Sequence, residues 1–363
     1  MAVASSERLR GDLVRLLHRG AGVREFSLGA ARIVARAVPF DGLCMLTMDP
    51  ATLLPTGEVV ENGLPDAASA RMAEIEMRGE DFNAFDALAR SGRRAGSLSA
   101  ATGGDLDRSL RHRELKRPNG FGDELRAALI DDSATWGGLT LLRASDRDHF
   151  GPADIGLVAS LSRHLAEGLR RAMLLTALST ERQEQEESPG LVLLAADNSI
   201  TLADSAGERW LAELGERRPR EPLPAVVTAV ASRARHIVDG SAATDAIARA
   251  RVRTESGVWL LVRGSALGDR EDGQTAVTIE PARPHELAPL IADAYGLTHR
   301  ERTVTRLIAQ GLPSSAIADR LYISPWTVQD HLKSIFEKVG VGTRGELVAR
   351  VFFRQNAPRL TDD

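Results

Sequence analysis

The sequence predicts an α+β multidomain chain: two mixed α/β domains, then an all-α module of four helices. Three observations carry this reading. At 363 residues the chain is long enough for two or three domains, each with its own core. Up to about residue 280, apolar residues alternate between helical spacing and short strand-like runs bounded by turn residues. After about residue 290 only the helical spacing remains.

Taken in order, Ser5 to His18 reads as a helix with Leu9, Leu13, Leu16 and Leu17 on one side. A second helix, from about Arg24 to Val38, uses Phe26, Ile33, Val34 and Val38. The run Leu43 to Met48 lies between the turn signals Asp41-Gly42 and Asp49-Pro50, so it reads as a buried strand. Gly57 to Glu61 continues as a strand, Asp66 to Arg78 as a helix, and Ala95 to Asp105 as a strand edge and loop. Glu124 to Ile130 and Trp136 to Arg143 read as an antiparallel pair around the turn Asp131-Asp132-Ser133. From Asp154 to about Ala177, the seam Ile155, Val158, Leu161, Leu165 and Leu169 makes a long amphipathic helix. That seam is a candidate contact between subunits as well as with its own sheet.

The charged stretch Thr180 to Glu187 marks a linker over 179–189, closing at Ser188-Pro189-Gly190. Beyond it come a strand (Leu191 to Ala195), a hairpin turn, a strand (Ile200 to Ala203) and a helix capped by Asp204. A helix from Ala225 to His236 and strands near 250–254, 258–265 and 274–279 complete this part. Arg283-Pro284-His285-Glu286 leads into the last module.

Composition bounds the chemistry. Apolar content of 43% and charged content of 26% are ordinary for a globular chain, and a net charge of -4 excludes a polycation. Between Leu290 and Ala357, however, nine Lys/Arg face six Asp/Glu, so this module can meet a phosphate backbone. The single cysteine, Cys44, forms no internal disulfide and reads as an inert core thiol; no Cys/His cluster has zinc spacing. No apolar run reaches ~18 residues and the N-terminus has no signal-peptide core. The expectation is a cytoplasmic protein without a membrane partner. The phosphate-loop, nucleophile-elbow and paired-histidine zinc motifs are absent, so no catalytic residues and no metal are assigned. His112 reads as a solvated helix residue, and Trp136 and Trp259 as core.

In the last module, Thr298 and Glu301 have capping-box spacing, and Val304, Leu307 and Ile308 form one apolar face. On that reading Glu301→Ala costs about 1 kcal/mol. Gly311 and Pro313 end the first helix; Ser314 or Ser315 caps a second, with Ile317 and Leu321 inside. Ser324-Pro325 opens a third, whose stripe is Val328, Leu332, Ile335 and Val339. Thr327, Gln329, Asp330, Lys333 and Ser334 remain on or beside the opposite face. Thr343 and Glu346 repeat the cap spacing before Leu347, Val348, Val351 and Phe352. Two helices joined by a tight turn, the second amphipathic, are the sequence form of a helix-turn-helix.

The stretch resembles the C-terminal DNA-binding domain of LuxR-type transcription regulators. The matching residues include Leu297-Thr298, Arg300-Glu301, Gly311, Ile317-Ala318, Leu321, Ile323-Ser324, Thr327-Val328, His331-Leu332, Ile335, Lys338 and Val341. The resemblance implies contacts to double-stranded DNA from Ser314, Ser324, Trp326, Thr327, Gln329, Asp330, His331, Lys333, Ser334 and Lys338, within a module spanning 290–357. Gln329 and Lys333 suit base reading, Asp330 acts by exclusion, and Thr327 and Lys338 anchor phosphates. Residues 1–178, ending in Asp148-His149-Phe150-Gly151-Pro152-Ala153-Asp154 and a leucine-rich helix, resemble a GAF domain. Residues 190–285, opening with Leu191 to Leu211, resemble a PAS domain. These resemblances imply a dimeric, non-enzymatic regulator whose front half senses, with RNA polymerase as a further partner. No cofactor is identifiable, and an unknown small molecule in either front domain is the only ligand implied. Competing readings make the GAF-like part a small-molecule enzyme or a ligand-free dimerisation scaffold.

Overall fold

The computed structural model describes residues 2–131, 134–175, 188–215, 223–242, 246–254, 256–268 and 273–353. Asp132, Ser133, Ala177 and the linker stretch 179–187 lie outside the described residues. The chain divides into two compact units, Met1–Pro281 and Ala282–Asp363.

The first unit begins with α1 (Ala2–Leu17) and α2 (Val23–Ala35), then β1 (Gly42–Met48) and β2 (Pro55–Glu61). Short helices α3 (Ser69–Arg78) and α4 (Phe85–Arg90) precede β3 (Ala95–Ser97) and α5 (Leu98–Thr102). The long strands β4 (Phe121–Asp131) and β5 (Ala134–Ala144) lead to α6 (Pro152–Leu175). The five strands pair antiparallel in the order β2-β1-β5-β4-β3. Two neighbouring glycines on β5 mark its two covered faces. A Cβ on Gly137 would fall 2.5 Å from Leu169 of α6, and one on Gly138 would fall 2.6 Å from the Phe85 ring of α4. On the α6 side, a Cβ on Gly168 would meet Phe26 of α2 at 1.8 Å, so only glycine lets these helices approach so closely.

The seam of α6 is spent inside the subunit. Val158, Leu161, Leu165 and Leu169 are completely buried against its own sheet and neighbouring helices. Ile155, the first residue of the seam, stays half-buried, whereas the other four leave no accessible area for a partner.

The opposite face of the sheet is polar and buried. Arg111, Lys116, Glu124 and Arg126 all lie there out of contact with water. Arg111 donates to Glu124 from Nε at 2.9 Å and from Nη2 at 2.6 Å, and Lys116 Nζ lies 3.3 Å from the other oxygen. Burial pushes the Glu124 carboxyl up, but Arg111, Lys116 and Arg126 outweigh it and hold the group well below its usual range. Burial pushes the Cys44 thiol up to about 12, which makes it unreactive. His112 is buried, not solvated as expected, because residues 106–119 fold onto this face instead of projecting a helix into water. Its burial lowers its pKa.

The second half of the unit repeats the pattern. β6 (Gly190–Leu194), β7 (Ile200–Ala203), α7 (Ser205–Glu213) and α8 (Ala225–Val238) precede β8 (Arg249–Arg253), β9 (Trp259–Leu267) and β10 (Gln274–Pro281). Asp204 caps α7 by accepting from the Gly207 N–H at 2.6 Å. The antiparallel order is β7-β6-β10-β9-β8. Counted within each sheet, both orders read 2-1-5-4-3. Trp136 and Trp259 are buried, one in each sheet.

The two halves share a core and an ion pair. Leu54, from the loop after β1, belongs to the apolar cluster of the second sheet. Asp49 is 2% exposed and Arg251 of β8 is 6% exposed. One Asp49 oxygen accepts from the Arg251 backbone N–H (2.8 Å) and Nε (2.9 Å); the other accepts from Nη2 (2.5 Å).

Removing one partner of such a pair strands a buried charge. We therefore expect Asp49→Ala to cost roughly 3–5 kcal/mol in urea denaturation, and the double variant Asp49→Leu with Arg251→Met to cost much less. A double variant as unstable as the single one would contradict this account. Leu165→Glu with Leu169→Glu should abolish folding rather than release a folded monomer, as circular dichroism and light scattering would reveal.

Candidate nucleic-acid interface

The second unit holds α9 (Pro284–Ala294), α10 (His299–Ala309), α11 (Ser314–Leu321), α12 (Pro325–Val339) and α13 (Arg344–Val348), with a wider turn over Ala349–Phe353. The helix α9 was not expected from the sequence. Pro284 occupies its first turn, where the missing N–H costs nothing, and Leu287, Leu290 and Ile291 are buried.

Thr298 closes a capping box on α10: its backbone N–H donates to Glu301 Oε2 at 2.7 Å, and its hydroxyl accepts from Glu301 N–H at 3.3 Å. Gly311, at φ +82°, turns the chain out of α10. Its N–H reaches the Ile308 carbonyl at 2.8 Å, and Leu312 N–H reaches Leu307 at 3.1 Å. Pro313, not Ser314 or Ser315, is the N-cap of α11, and no side chain caps that helix. Ser314 is already its first helical residue. Its hydroxyl instead accepts from Gln329 Nε2 at 3.1 Å and from the Arg344 guanidinium.

The turn to α12 is made by Tyr322 in a left-handed conformation (φ 55°, ψ 47°), with Ile323 N–H bonded to the Ala318 carbonyl at 3.0 Å. Ser324 caps α12 as expected, accepting from Thr327 N–H at 3.0 Å, and Pro325 follows at the first helical position. Val328, Leu332, Ile335 and Val339 are buried. At α13 the second capping box is half formed. Thr343 accepts from Glu346 N–H, but Glu346 takes the Gly342 N–H instead of that of Thr343. Leu347 and Val351 are buried, while the side chain of Phe352 lies outside the described residues.

The ten residues assigned from the sequence fall into three groups. Ser324, Trp326, Gln329, Asp330 and Lys333 are exposed on the first three turns of α12 or at its cap. Trp326 is 75% exposed, leaving a broad apolar ring in water beside the polar face. Ser314, Thr327 and His331 are half-buried at the edge of this surface. Ser334 and Lys338 turn towards α10 instead. Ser334 Oγ donates to Glu301 Oε1 at 2.7 Å, and Lys338 Nζ to Glu301 Oε2 at 2.7 Å. Thus Lys338 reaches the surface as one half of an ion pair, not as a lone cation.

Glu301 is only 4% exposed. Burial would raise its pKa, but Lys338, Ser334 and Thr298 more than offset this and bring it down to about 2. Sequence reasoning found the cap and missed these further partners, which lie 33 and 37 residues away. It also missed Tyr322, 95% exposed and four residues before Trp326, and Arg344, which ties α13 to α11 through Ser314 and the Leu312 carbonyl. A left-handed tyrosine carries no sequence signal, and nothing local marks Arg344.

The family described as bacterial regulatory proteins, luxR family, matches residues 296–351. The C-terminal segment of this chain is a luxR-family domain. Within it, the chain is 46% identical over 54 residues to the nitrate/nitrite response regulator protein NarL of Escherichia coli K12, covering 15% of this chain and 25% of that protein. It is 45% identical over 56 residues to the transcriptional regulatory protein UhpA of the same strain, covering 15% and 29%. A Mycobacterium bovis protein named as an HTH-type transcriptional regulator is 48% identical over 52 residues, 14% of this chain and 6% of its own. The chain therefore spans less than a third of each of these relatives. Among solved structures, Escherichia coli SdiA overlaps 95% of both chains at 12% identity and a TM-score of 0.31. The VqsR LBD domain of Pseudomonas aeruginosa overlaps 47% of this chain and 96% of its own at 17% identity and a TM-score of 0.32. Both overlaps are too loose to specify a fold or a ligand.

Because Glu301 is lowered from 4.5 to about 2 on folding, its contribution is fully present above pH 4.5 and is lost as pH falls towards 2. In total this amounts to roughly 2–3 kcal/mol, more than the cap alone. Glu301→Gln should therefore lower the melting temperature at pH 7 and flatten its fall between pH 5 and pH 2. A variant whose acid sensitivity matches the wild type would place the titrating group elsewhere.

Proposed function

We propose that this chain regulates transcription by docking α12 into the major groove of double-stranded DNA. The observation that carries the reading is the division of that helix within a luxR-family segment. Val328, Leu332, Ile335 and Val339 are buried, while Gln329, Asp330 and Lys333 face water behind a Ser324-Pro325 start. Gln329 and Lys333 present donors suited to purine edges, and Asp330 tolerates only a cytosine amino group. Ser314, Ser324, Trp326, Thr327 and His331 flank the groove contact. Ser334 and Lys338 act at one remove, by fixing the helix against Glu301.

We assign the front half to a GAF-like domain over 1–178 and a PAS-like domain over 190–285, joined by 179–189, with the DNA-binding module over 290–357. The shared 2-1-5-4-3 antiparallel order of the two sheets supports this pairing of related sensory folds. On this reading the protein is a cytoplasmic, non-enzymatic homodimer that answers a small molecule and works with RNA polymerase. Its dimer contact, on this reading, does not use Val158, Leu161, Leu165 or Leu169, which are buried within the subunit.

The test compares variants on a selected operator and on random duplex at several salt concentrations. Gln329→Ala should cost roughly 1–3 kcal/mol on the operator and broaden sequence preference. Lys338→Ala should weaken both duplexes alike and also lower the melting temperature, since it removes the counter-ion of Glu301. If Gln329→Ala weakens operator and random DNA equally, α12 is not the reading helix.

A further inference from the structure

Between α3 of the first half and α8 of the second lies a cavity of about 740 Å³. That volume suits a metabolite-sized ligand. Its polar walls are mostly committed. Arg71 is saturated by Glu114 and Glu74, with Nε at 2.7 Å from Glu114 and Nη1 at 2.7 Å from Glu74. Arg78 takes the second Glu74 oxygen at 2.8 Å. Asp197 accepts from the Ser199 N–H and Asp239 from Ser241. His236 is buried and bonded through Nδ1 to the Ser232 carbonyl at 2.7 Å.

Arg235 is different. Its guanidinium is half-buried on the same wall and has only neutral acceptors, Asn198 Oδ1 at 2.7 Å from Nη2 and Thr275 Oγ1 at 3.3 Å from Nη1. Among the described residues it forms no ion pair. Burial disfavours its charge, and Glu74 compensates only at a distance. Arginine cannot relieve that cost by losing its proton, so an incoming anion offsets it. The fork is also aimed. Asn198, held left-handed (φ 65°) at the turn between β6 and β7, fixes one Nη, which leaves N–H groups over for a planar or tetrahedral oxyanion. Ala70, Val238, Ala266 and Leu267 supply apolar wall for an organic body.

We propose that this cavity binds a small organic anion, a carboxylate or a phosphate ester, on the Arg235 guanidinium. Such a ligand touches both halves of the unit at once, so its binding stabilises their docking. The lining of this site shares no residue with α12 or with the polar face of the first sheet.

The experiment uses the full chain without DNA and two probes, inorganic phosphate and benzoate, each against chloride at matched ionic strength. A probe that fits should raise the melting temperature by roughly 2–4 °C at saturation, and the probe that acts tells phosphate from carboxylate. Asn198→Asp provides the decisive variant. Aspartate tolerates the same left-handed backbone and places a carboxylate beside Arg235. It should raise the melting temperature in chloride and abolish the response to the probe, as should Arg235→Met. If Arg235→Met fails to fold, Asn198→Asp decides alone. A wild type indifferent to both probes, or an Asn198→Asp variant that responds like the wild type, overturns the proposal.

Discussion

The carboxylate of Glu301 is the point on which the DNA-binding unit is hung. It closes the first turn of α10 through Thr298 and receives Ser334 and Lys338 from the second half of α12. One buried charge thereby fixes the start of one helix against the second half of another. Apolar packing of Val304, Leu307, Val328 and Leu332 supplies the attraction, but such packing tolerates sliding. A charge-assisted hydrogen bond at 2.7 Å does not. On the proposed docking, base reading depends on the angle and depth of α12, and Glu301 acts on readout through the placement of that helix.

The same logic recurs in the first unit at Asp49 and Arg251. Two sheets of identical strand order would each bury an apolar face without the other. What fixes their mutual register is a forked, three-point pair between residues 202 apart in sequence. Buried pairs of this kind add little net stability over a well-packed apolar contact. Their geometric demand is what distinguishes them: Asp49 satisfies Arg251 in one relative placement of the sheets. Leu54 then joins the second core as a consequence of that placement.

Much of this is legible in the sequence where the determinant is local. The caps at Thr298, Ser324 and Asp204 follow from spacing alone, and the α12 stripe and the strands β4 to β7 come within a few residues of their observed bounds. Failures track distance along the chain. The ion-pair partner of Lys338 lies 37 residues away, so that contact has no local sequence signal. His112 has a solvated-helix pattern around it, yet its segment is captured by the charged face of the first sheet. In the sequence the α9 stretch reads as a lead-in segment; it contains Pro289, and Pro284 sits where a helix start accepts it. The seam on α6 is correctly apolar in the sequence. Only the structure could reveal that Gly168 and Gly137 let its own neighbours close over it.

That closure bears on how a signal could cross the first unit. One face of the first sheet is sealed by α6, and the other by an ionic cluster in which Glu124 answers both Arg111 and Lys116. Several atoms there, including Arg111 Nη1 and Arg126 Nε, are buried with no hydrogen-bond partner. Both still face carboxylates, Asp81 at 3.5 Å and Glu124 at 3.9 Å, so charge as well as hydrogen bonding holds the cluster. Its members come from β4 and from the irregular stretch between α5 and β4, so they pin that stretch to the sheet. A change on this face must break several coupled charge contacts together, whereas at the cavity Arg235 forms no ion pair among the described residues, and an anion there needs none broken. The cheaper place for a small anion to act is therefore the joint between the halves, not the interior of either.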